Sequence, residues 1–185
     1  MTGPIALIVI DMQKGMQSPT LPPRNNPAAE DNMARLVAAW REAHQPLVCV
    51  RHISRSPTSV FAPGQEGVQF QERFAPMARD HVVEKNVPDA FINTGLERWL
   101  HVRGIRQVVI VGVSTNNSVE STARTAGNLG FAATVVADAT FAFEKEDFAG
   151  HLRSAEDVHL MALANLHGEY AEVRTTGQVL ESLVG

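Results

Sequence analysis

Three segments of the chain place a reactive side chain directly after a short apolar run. Asp11 follows ALIVI, Lys85 follows HVVE, and Ser118 comes shortly after VVIVGV in a cluster of small polar residues. Burial at the end of a strand raises the pKa of a carboxylate and suits it to general acid or base catalysis. A lysine there can stabilise negative charge on a substrate. A serine in the first turn of a helix lies beside backbone N–H groups that can bind an oxyanion.

Each of these residues also has a purely structural interpretation. An aspartate after a strand often caps the following turn, and a lysine is most often exposed on the surface. Taken alone, Ser118 fits better as one residue of a polar helix start. The secondary-structure elements that carry the three residues therefore decide whether their side chains meet.

Short apolar, β-branched runs alternate with helical patterns along the chain. The runs are continuous, as in strands that are covered on both faces of a parallel sheet. This alternation predicts an α/β fold, a three-layer α/β/α sandwich whose ligands bind beyond the carboxyl ends of the strands. The predicted strands are 5–10, 46–51, 81–84, 108–112, 132–137 and 171–174.

Helix starts are predicted where a small polar residue precedes acidic residues. One helix is further marked by a stripe of apolar residues that predicts a buried face, made by Ala29, Met33, Leu36, Val37 and Trp40. The predicted N-caps are Asn26, Thr94, Asn117 and Ser154.

Composition limits the classes of function. The 185 residues predict a single domain over 1–185, and the net charge of -4 without any Lys/Arg run argues against a nucleic-acid surface. The apolar run 5–10 is too short to span a membrane and lacks the features of a signal peptide. The single cysteine excludes an internal disulfide and fits a cytoplasmic location. Residues 54–80, rich in Pro, Gly, Ser and Phe, predict a loop that covers the site.

Together the three segments resemble the isochorismatase-like hydrolase superfamily, which includes nicotinamidases, N-carbamoylsarcosine amidohydrolase, isochorismatases and cysteine hydrolases. ALIVIDMQ resembles the first strand and acid of that family, VVEKNVPDAF its lysine segment, and VVIVGVSTNNSVESTAR its nucleophile segment. ADATFAF and SAEDVHLMALANL fit its closing strand and helix, so the resemblance covers nearly the whole chain. It implies a Rossmann-like sheet of six mostly parallel strands, a small-molecule substrate, and a homodimer or homotetramer.

For the site, the resemblance implies an Asp–Lys–Cys triad, with Asp11 and Lys85 in the first two places. Ser118 stands where the family usually has its nucleophilic cysteine. The resemblance further implies a cis peptide bond between Val113 and Ser114, with the N–H groups of Ser114 and Ser118 as the oxyanion hole. Cys49 does not replace the missing cysteine, because it lies inside the second predicted strand.

A serine nucleophile needs a base to remove its proton, whereas a cysteine can be ionised by its surroundings. A helix N-terminus contributes up to about 2 kcal/mol, or roughly 1.5 pKa units, which ionises much of a thiol but almost none of a hydroxyl. Ser118 must therefore give its proton to a base, and Asp11 is the base that the implied triad supplies. Pairing with Lys85 lowers the pKa of an aspartate and weakens it as a base.

Three functions remain open from the sequence. In the favoured one, Ser118 is the nucleophile of a hydrolase that cleaves a small-molecule C–N bond, amide or ureide-like. In the second, Asp11 protonates a vinyl ether, as in isochorismatases, and no covalent nucleophile is used. In the third, the chain is a non-catalytic binding homologue, an interpretation that the intact Asp11 and Lys85 argue against.

Several further residues are candidates for the walls of a substrate pocket, whereas Phe70 fits better in the core. His52 lacks an aspartate two residues before it, and the seven histidines are scattered without metal-ligand spacing. The sequence therefore predicts neither a metal nor another cofactor. The pocket candidates are His52, Phe61, Phe91, Thr115 and Asn117, of which the last two also fit an organising role in the turn before Ser118.

Overall fold

A central parallel sheet carries most of the apolar runs of the chain. The structure, a computed structural model, describes residues 3–184. Six strands pair in the order β3-β2-β1-β4-β5-β8, and every pairing is parallel, which confirms the predicted fold class. The remaining two form a separate antiparallel hairpin. The strands are β1 (Ile5–Ile10), β2 (Leu47–His52), β3 (His81–Lys85), β4 (Gln107–Val113), β5 (Ala132–Phe141), β6 (Lys145–Glu146), β7 (Leu152–Arg153) and β8 (Glu172–Arg174).

Helices cover both faces of the sheet and complete the three layers. The first and last helices pack on one face, and the other three pack on the opposite face. The last helix was not predicted from the sequence. No helix within residues 3–184 is both long and apolar enough to cross a bilayer. The helices are α1 (Ala29–Glu42), α2 (Leu96–Val102), α3 (Glu120–Asn128), α4 (Ala155–Leu166) and α5 (Thr176–Val184).

Burial on both faces explains why the strand sequences are continuously apolar. In β1, Ile8 and Ile10 pack into the core beneath α2, α3 and α4, whereas Leu7 and Val9 pack against α1. Each such side chain contributes about 1.5–3 kcal/mol on burial. All five residues of the predicted α1 stripe are buried. Trp40 in that stripe also donates from Nε1 to the carbonyl of Ile5 over 2.9 Å and ties the helix to the sheet.

Only one of the four predicted N-caps is correct. The Ser154 hydroxyl accepts from the amide of Asp157 at the start of α4. Asn26 precedes the N-cap residue of α1 by two positions and instead donates from its side chain to the carbonyls of Ala137 and Thr140. Thr94 lies one residue before the N-cap of α2 and donates to a backbone carbonyl. The contacts of Asn26 are tertiary and leave no local pattern, whereas the Thr94 hydroxyl bonds locally, donating to the carbonyl of Ala90 and accepting from the amide of Leu96.

The predicted covering loop, residues 54–80, is folded back onto the strand ends. It contains two short 3-10 turns, Glu66–Val68 and Glu72–Phe74, and the side chain of Phe74 is buried. The buried Gln13 side chain donates to the carbonyls of His52 and Val68 and so joins the loop to β2. The loop is therefore packed against the edge of the sheet where the strands end.

We expect Gly112→Ala to destabilise the protein strongly. Gly112 has a φ of +122°, and a Cβ there would lie 2.1 Å from the carbonyl oxygen of Ile10 on the neighbouring strand. Strain of this kind together with overpacking costs about 3 kcal/mol. Gly95→Ala is the matched control, because nothing lies within 4 Å of a Cβ at that position. Urea unfolding should show the loss only at position 112, and equal stability of the two variants would contradict this account of the strand.

Candidate active site

The side chains of Asp11, Lys85 and Ser118 meet beyond the carboxyl ends of the strands. The Nζ of Lys85 donates to Asp11 Oδ2 over 2.7 Å and to Ser118 Oγ over 3.2 Å. Asp11, Lys85 and Ser118 are almost completely buried, with exposed fractions of 2%, 3% and 6%. A carboxylate, an ammonium and a hydroxyl are thus in contact in a site that is shielded from water.

The strand order explains why these residues meet. The chain runs outward from β1 through β2 to β3 and then returns to place β4 on the other side of β1. The helix after β1 packs on one face of the sheet, and the helix after β4 packs on the other. Such a switch point forms a crevice between the two strand ends. Asp11 follows β1 and Ser118 follows β4, so they line the two sides of this crevice.

Lys85 reaches the crevice from a more distant strand. It is the last residue of β3, and β2 separates it from β1. Its partner in the β2–β3 pairing is His52. The long aliphatic part of the lysine therefore passes the end of β2, and only the ammonium group is required at Asp11. A shorter side chain at the end of β3 would not span the intervening strand.

Burial dominates the electrostatics of Asp11. It raises the pKa of this carboxyl above its ordinary value, while the charge of Lys85 and the hydrogen bonds from Lys85 and Ser118 lower it and offset only part of the shift. The sequence-based expectation that the lysine makes Asp11 a weak base is therefore wrong, because desolvation outweighs the pairing. Within residues 3–184, the Oδ1 atom of Asp11 has no hydrogen-bond partner. One carboxylate oxygen is thus free to exchange a proton.

The turn before Ser118 starts earlier than predicted. The Val113–Ser114 peptide bond is cis, at the position that the resemblance implies. Thr115–Val119 forms a π-helical turn that continues into α3, and the carbonyl of Ser114 accepts from the amides of Asn117 and Val119. Asn117 is therefore not the N-cap: it lies inside the turn, and its side chain is exposed.

A buried polar network supports this turn from α4. Thr115 is fully buried, and its Oγ1 lies 2.8 Å from Nδ1 of His159. His159 Nε2 lies 3.4 Å from the side-chain nitrogen of Asn26, which donates to two carbonyls of β5. Thr115 therefore organises the turn rather than lining a pocket. The sequence analysis missed His159, because a lone histidine in a helix carries no spacing signal.

His52 and Phe61 lie together near the buried triad. Their rings are 6.2 Å apart in an edge-to-face arrangement, and both residues are half-buried. The charge of Lys85 contributes, after burial, to lowering the pKa of His52, which indicates that the imidazole is close to the ammonium group. These two rings are thus placed where a bound molecule can contact them.

Phe91 occupies a different environment from the one expected. It is buried in the core beneath α2 and α3 and stacks on Phe131, with the ring centroids 5.9 Å apart. The backbone amide of Phe91 donates to the side chain of Asp89 and does not take part in the site at the strand ends. Phe91 is therefore explained by packing: it is the residue of the lysine segment that fills the core beneath that segment.

Gln13 is a second residue that sequence analysis missed. It is fully buried, and its side-chain oxygen accepts from the amide of His52 over 2.8 Å while its nitrogen donates to the covering loop. Gln71 of the loop donates in turn to the carbonyl of Gln13. Gln13, two residues after Asp11, thus holds both the end of β2 and the covering loop in place.

A cavity of about 600 Å³ adjoins the end of β3. Residues of the β2–β3 connection and of the β3 end form its walls, and Lys85 is among them. Arg55 in this wall donates to the side chain of Asn86 over 3.0 Å. The cavity lies on the side of the lysine that faces the covering loop, which makes that loop part of the surroundings of the site.

The thiol of Cys49 is not available for chemistry. Burial raises its pKa to about 12 and Asp80 adds to this shift, so the thiolate required for nucleophilic attack does not form. Cys49 lies within β2, packed in the core beneath α1, as predicted. In the part of the chain that the structure describes, no cluster of three or more His, Cys, Asp and Glu side chains could hold a metal ion.

The buried His159 makes stability depend on pH. Burial lowers its pKa, whereas the unfolded residue has a value near about 6.5. Between these two values the unfolded chain binds more protons, so the free energy of unfolding falls as the pH drops below about 6.5, by up to about 1.4 kcal/mol per pH unit. We expect His159→Asn to flatten this slope in urea unfolding. The exposed His151 provides the control His151→Gln, and an unchanged slope in His159→Asn would contradict the assignment.

Comparisons with known proteins agree with this fold. The sequence profile of the isochorismatase domain matches residues 5–178. A solved structure of an isochorismatase-family protein from Chromobacterium violaceum has a TM-score of 0.94 and 45% identity, over 98% of this chain and 94% of that chain. YrdC of Bacillus subtilis, an uncharacterized isochorismatase family protein, is 36% identical over 97% of this chain and 96% of its own. Nicotinamidase 3 of Arabidopsis thaliana is 30% identical over 97% and 89%. The chain therefore belongs to the isochorismatase family of hydrolases.

Proposed function

We propose that this hydrolase cleaves a C–N bond in a small amide or ureide-like molecule, with Ser118 as the nucleophile. The observation that carries the proposal is the position of the Lys85 ammonium, within hydrogen-bond distance of both Asp11 and Ser118 in a buried site. A nucleophile, a proton acceptor and a fixed positive charge are the groups that acyl transfer requires.

In the first half of the reaction, Ser118 Oγ forms a bond to the carbonyl carbon and its proton passes to the Asp11 carboxylate. The carbonyl oxygen becomes an oxyanion, for which the N–H groups of Ser114 and Ser118 are the proposed donors. Asp11 then gives the proton to the leaving nitrogen as the C–N bond breaks. The products of this half are an amine or ammonia and an acyl ester on Ser118.

In the second half, a water molecule attacks the ester carbon and gives its proton to Asp11. The bond between the carbon and Ser118 Oγ breaks, and Oγ takes the proton back from Asp11. A carboxylic acid, or a carbamic acid from a ureide, is released. Asp11 starts and ends each cycle as a carboxylate, and Lys85 stays charged throughout.

The raised pKa of Asp11 suits it to this exchange. Desolvation makes the carboxylate a better proton acceptor than an exposed aspartate, and the free Oδ1 atom offers a site for the proton. Lys85 stabilises the carboxylate between transfers and also contacts the oxygen that attacks. The buried site thus compensates in part for a hydroxyl nucleophile, which the helix start alone does not ionise.

Similarity to Nicotinamidase 3 supports an amide as the substrate class, since that relative is named for an amide substrate and matches over 97% of this chain. The aromatic pair formed by His52 and Phe61 is the proposed wall for a flat or apolar part of the substrate. The covering loop, which Gln13 holds against the strand ends, is the proposed element that selects substrates by size.

A second candidate function is vinyl-ether hydrolysis with Asp11 as the general acid. The raised pKa of Asp11 favours it, because a carboxyl that holds its proton at higher pH can donate that proton to an enol-ether carbon. In this reaction Ser118 forms no bond to the substrate. The two candidates therefore differ in their dependence on Ser118 and agree in their dependence on Asp11.

We expect Asp11→Asn and Ser118→Ala each to lower kcat by about 10²–10⁴-fold, because the first removes the proton acceptor and the second removes the nucleophile. The assay is release of ammonia or acid across a panel of small amides, ureides and esters. The controls are Asp31→Asn, an exposed aspartate on α1, and Ser121→Ala on α3, which should retain wild-type rates.

Different outcomes separate the two candidates. Loss of turnover in both variants supports the serine hydrolase. Turnover of a vinyl ether that survives Ser118→Ala but not Asp11→Asn assigns the second function. Turnover that neither variant reduces would contradict any role of the buried triad in the reaction.

A further inference from the structure

We infer that three residues outside the buried triad position Ser118 against Lys85. They are Thr122 and Thr125 on α3 and Asp89 in the lysine segment, residues 82–91. Their hydrogen bonds join the helix that follows the nucleophile to the segment that carries the lysine. The inference rests on the proposed role of Ser118 as the nucleophile and concerns what holds that nucleophile in place.

The two threonines lie on the same face of α3 as Ser118. Thr122 comes four positions after Ser118 and Thr125 seven positions after it, in a turn that continues into the helix. This spacing places side chains above one another along a helix. Each of the three hydroxyl groups makes a hydrogen bond to the lysine segment. One face of α3 is therefore joined to that segment at three points.

The two bonds that lie beyond the triad fix the lysine segment firmly. Thr122 is fully buried, and its Oγ1 accepts from the amide of Ala90 over 3.0 Å. The hydroxyl of Thr125 donates to Asp89 Oδ2, while Asp89 Oδ1 accepts from the amide of Phe91 over 2.8 Å. A carboxylate accepts stronger hydrogen bonds than a neutral group does. Asp89 therefore holds both its own segment and α3.

The sheet alone does not fix the distance between Lys85 and Ser118. Lys85 ends β3 and Ser118 follows β4, and β2 and β1 lie between these strands. The distance from Nζ to Oγ is 3.2 Å, at the long end of the range for hydrogen bonds, so a small shift of α3 would break the contact. The bonds of Thr122 and Thr125 connect the same two segments directly. They therefore restrict this shift.

The test is the rate of the first turnover with p-nitrophenyl acetate, a small activated ester. In that step Ser118 Oγ bonds to the acetyl carbon, its proton passes to Asp11, and the bond to p-nitrophenolate breaks. We expect Thr125→Val to lower the rate about tenfold to a hundredfold, because a misplacement of about 1 Å suffices for such a loss. Thr125→Ser keeps the hydroxyl and should restore most of the rate. The control is Thr134→Val near the start of β5, equally half-buried but at the opposite end of the strands, which should keep the wild-type rate.

Asp89→Ala tests the same bond from the lysine segment. It should slow the first turnover at least as much as Thr125→Val does. The double variant should be no slower than Asp89→Ala alone, because both changes remove one shared bond. Urea unfolding measures the stability of each variant, so that rates are compared per folded molecule. Asp89→Ala decides the matter if Thr125→Val does not fold.

The results separate this inference from the proposed function. A wild-type rate no higher than that of Ser118→Ala would contradict both. A wild-type rate above that background, which Thr125→Val and Asp89→Ala retain even if they are less stable, would contradict the positioning role alone. Equal losses in Thr125→Val and Thr125→Ser, or losses that add in the double variant, would also overturn it, because the bond between the two residues would not be their cause.

Discussion

The buried contact between Lys85 and Asp11 is the interaction on which the rest of the site depends. Transferring two charges out of water costs several kcal/mol per ion, which their attraction offsets only at close range and in good geometry. Here the two atoms are 2.7 Å apart. Removing either partner would leave a buried, uncompensated charge, at a cost of about 3–5 kcal/mol. The strand ends around the pair must therefore hold it accurately, and the remaining polar contacts of the site can be understood as that support.

Two sets of contacts provide this support. On one side, the buried Gln13 joins the segment that follows Asp11 to the end of β2 and to the covering loop. On the other side, His159 contacts Thr115 and connects the turn of Ser118 to α4. Both sets use side-chain hydrogen bonds to buried groups, which are costly to leave unpaired. These bonds are satisfied inside a close-packed core, which favours a single arrangement of the strand ends.

In the proposed mechanism, the same pair allows Ser118 to act as the nucleophile. The helix start cannot ionise a hydroxyl, so the proton must have a nearby acceptor. Desolvation makes Asp11 a better acceptor than its lysine partner alone would allow. In the proposed mechanism, burial therefore acts twice: it keeps water from the ion pair, and it raises the affinity of the carboxylate for the proton of Ser118.

Sequence patterns predicted the sheet well, because strands that are buried on both faces are continuously apolar and such runs are visible in the sequence. They also indicated Asp11, Lys85 and Ser118, since strand ends in a parallel sheet meet at one edge. They failed for Asn26, Thr94, Asn117 and Phe91. The side chains of Asn26 and Phe91 are used by tertiary neighbours, two carbonyls of β5 and Phe131. Thr94 and Asn117 were misplaced locally, because α2 begins one residue later than predicted and a π-helical turn begins before Asn117. Gln13 and His159 were missed because contacts between distant segments leave no local spacing.

The central claim is that Ser118 forms a covalent bond to the substrate, and intact-protein mass spectrometry tests it most directly. The enzyme would be quenched with acid during turnover of a slowly hydrolysed ester or amide, and the modified peptide would then be sequenced. The account predicts an added acyl mass on Ser118 that is absent in Ser118→Ala. Turnover without any adduct, at a rate that Ser118→Ala retains, would contradict it and leave Asp11 as the residue that performs the chemistry.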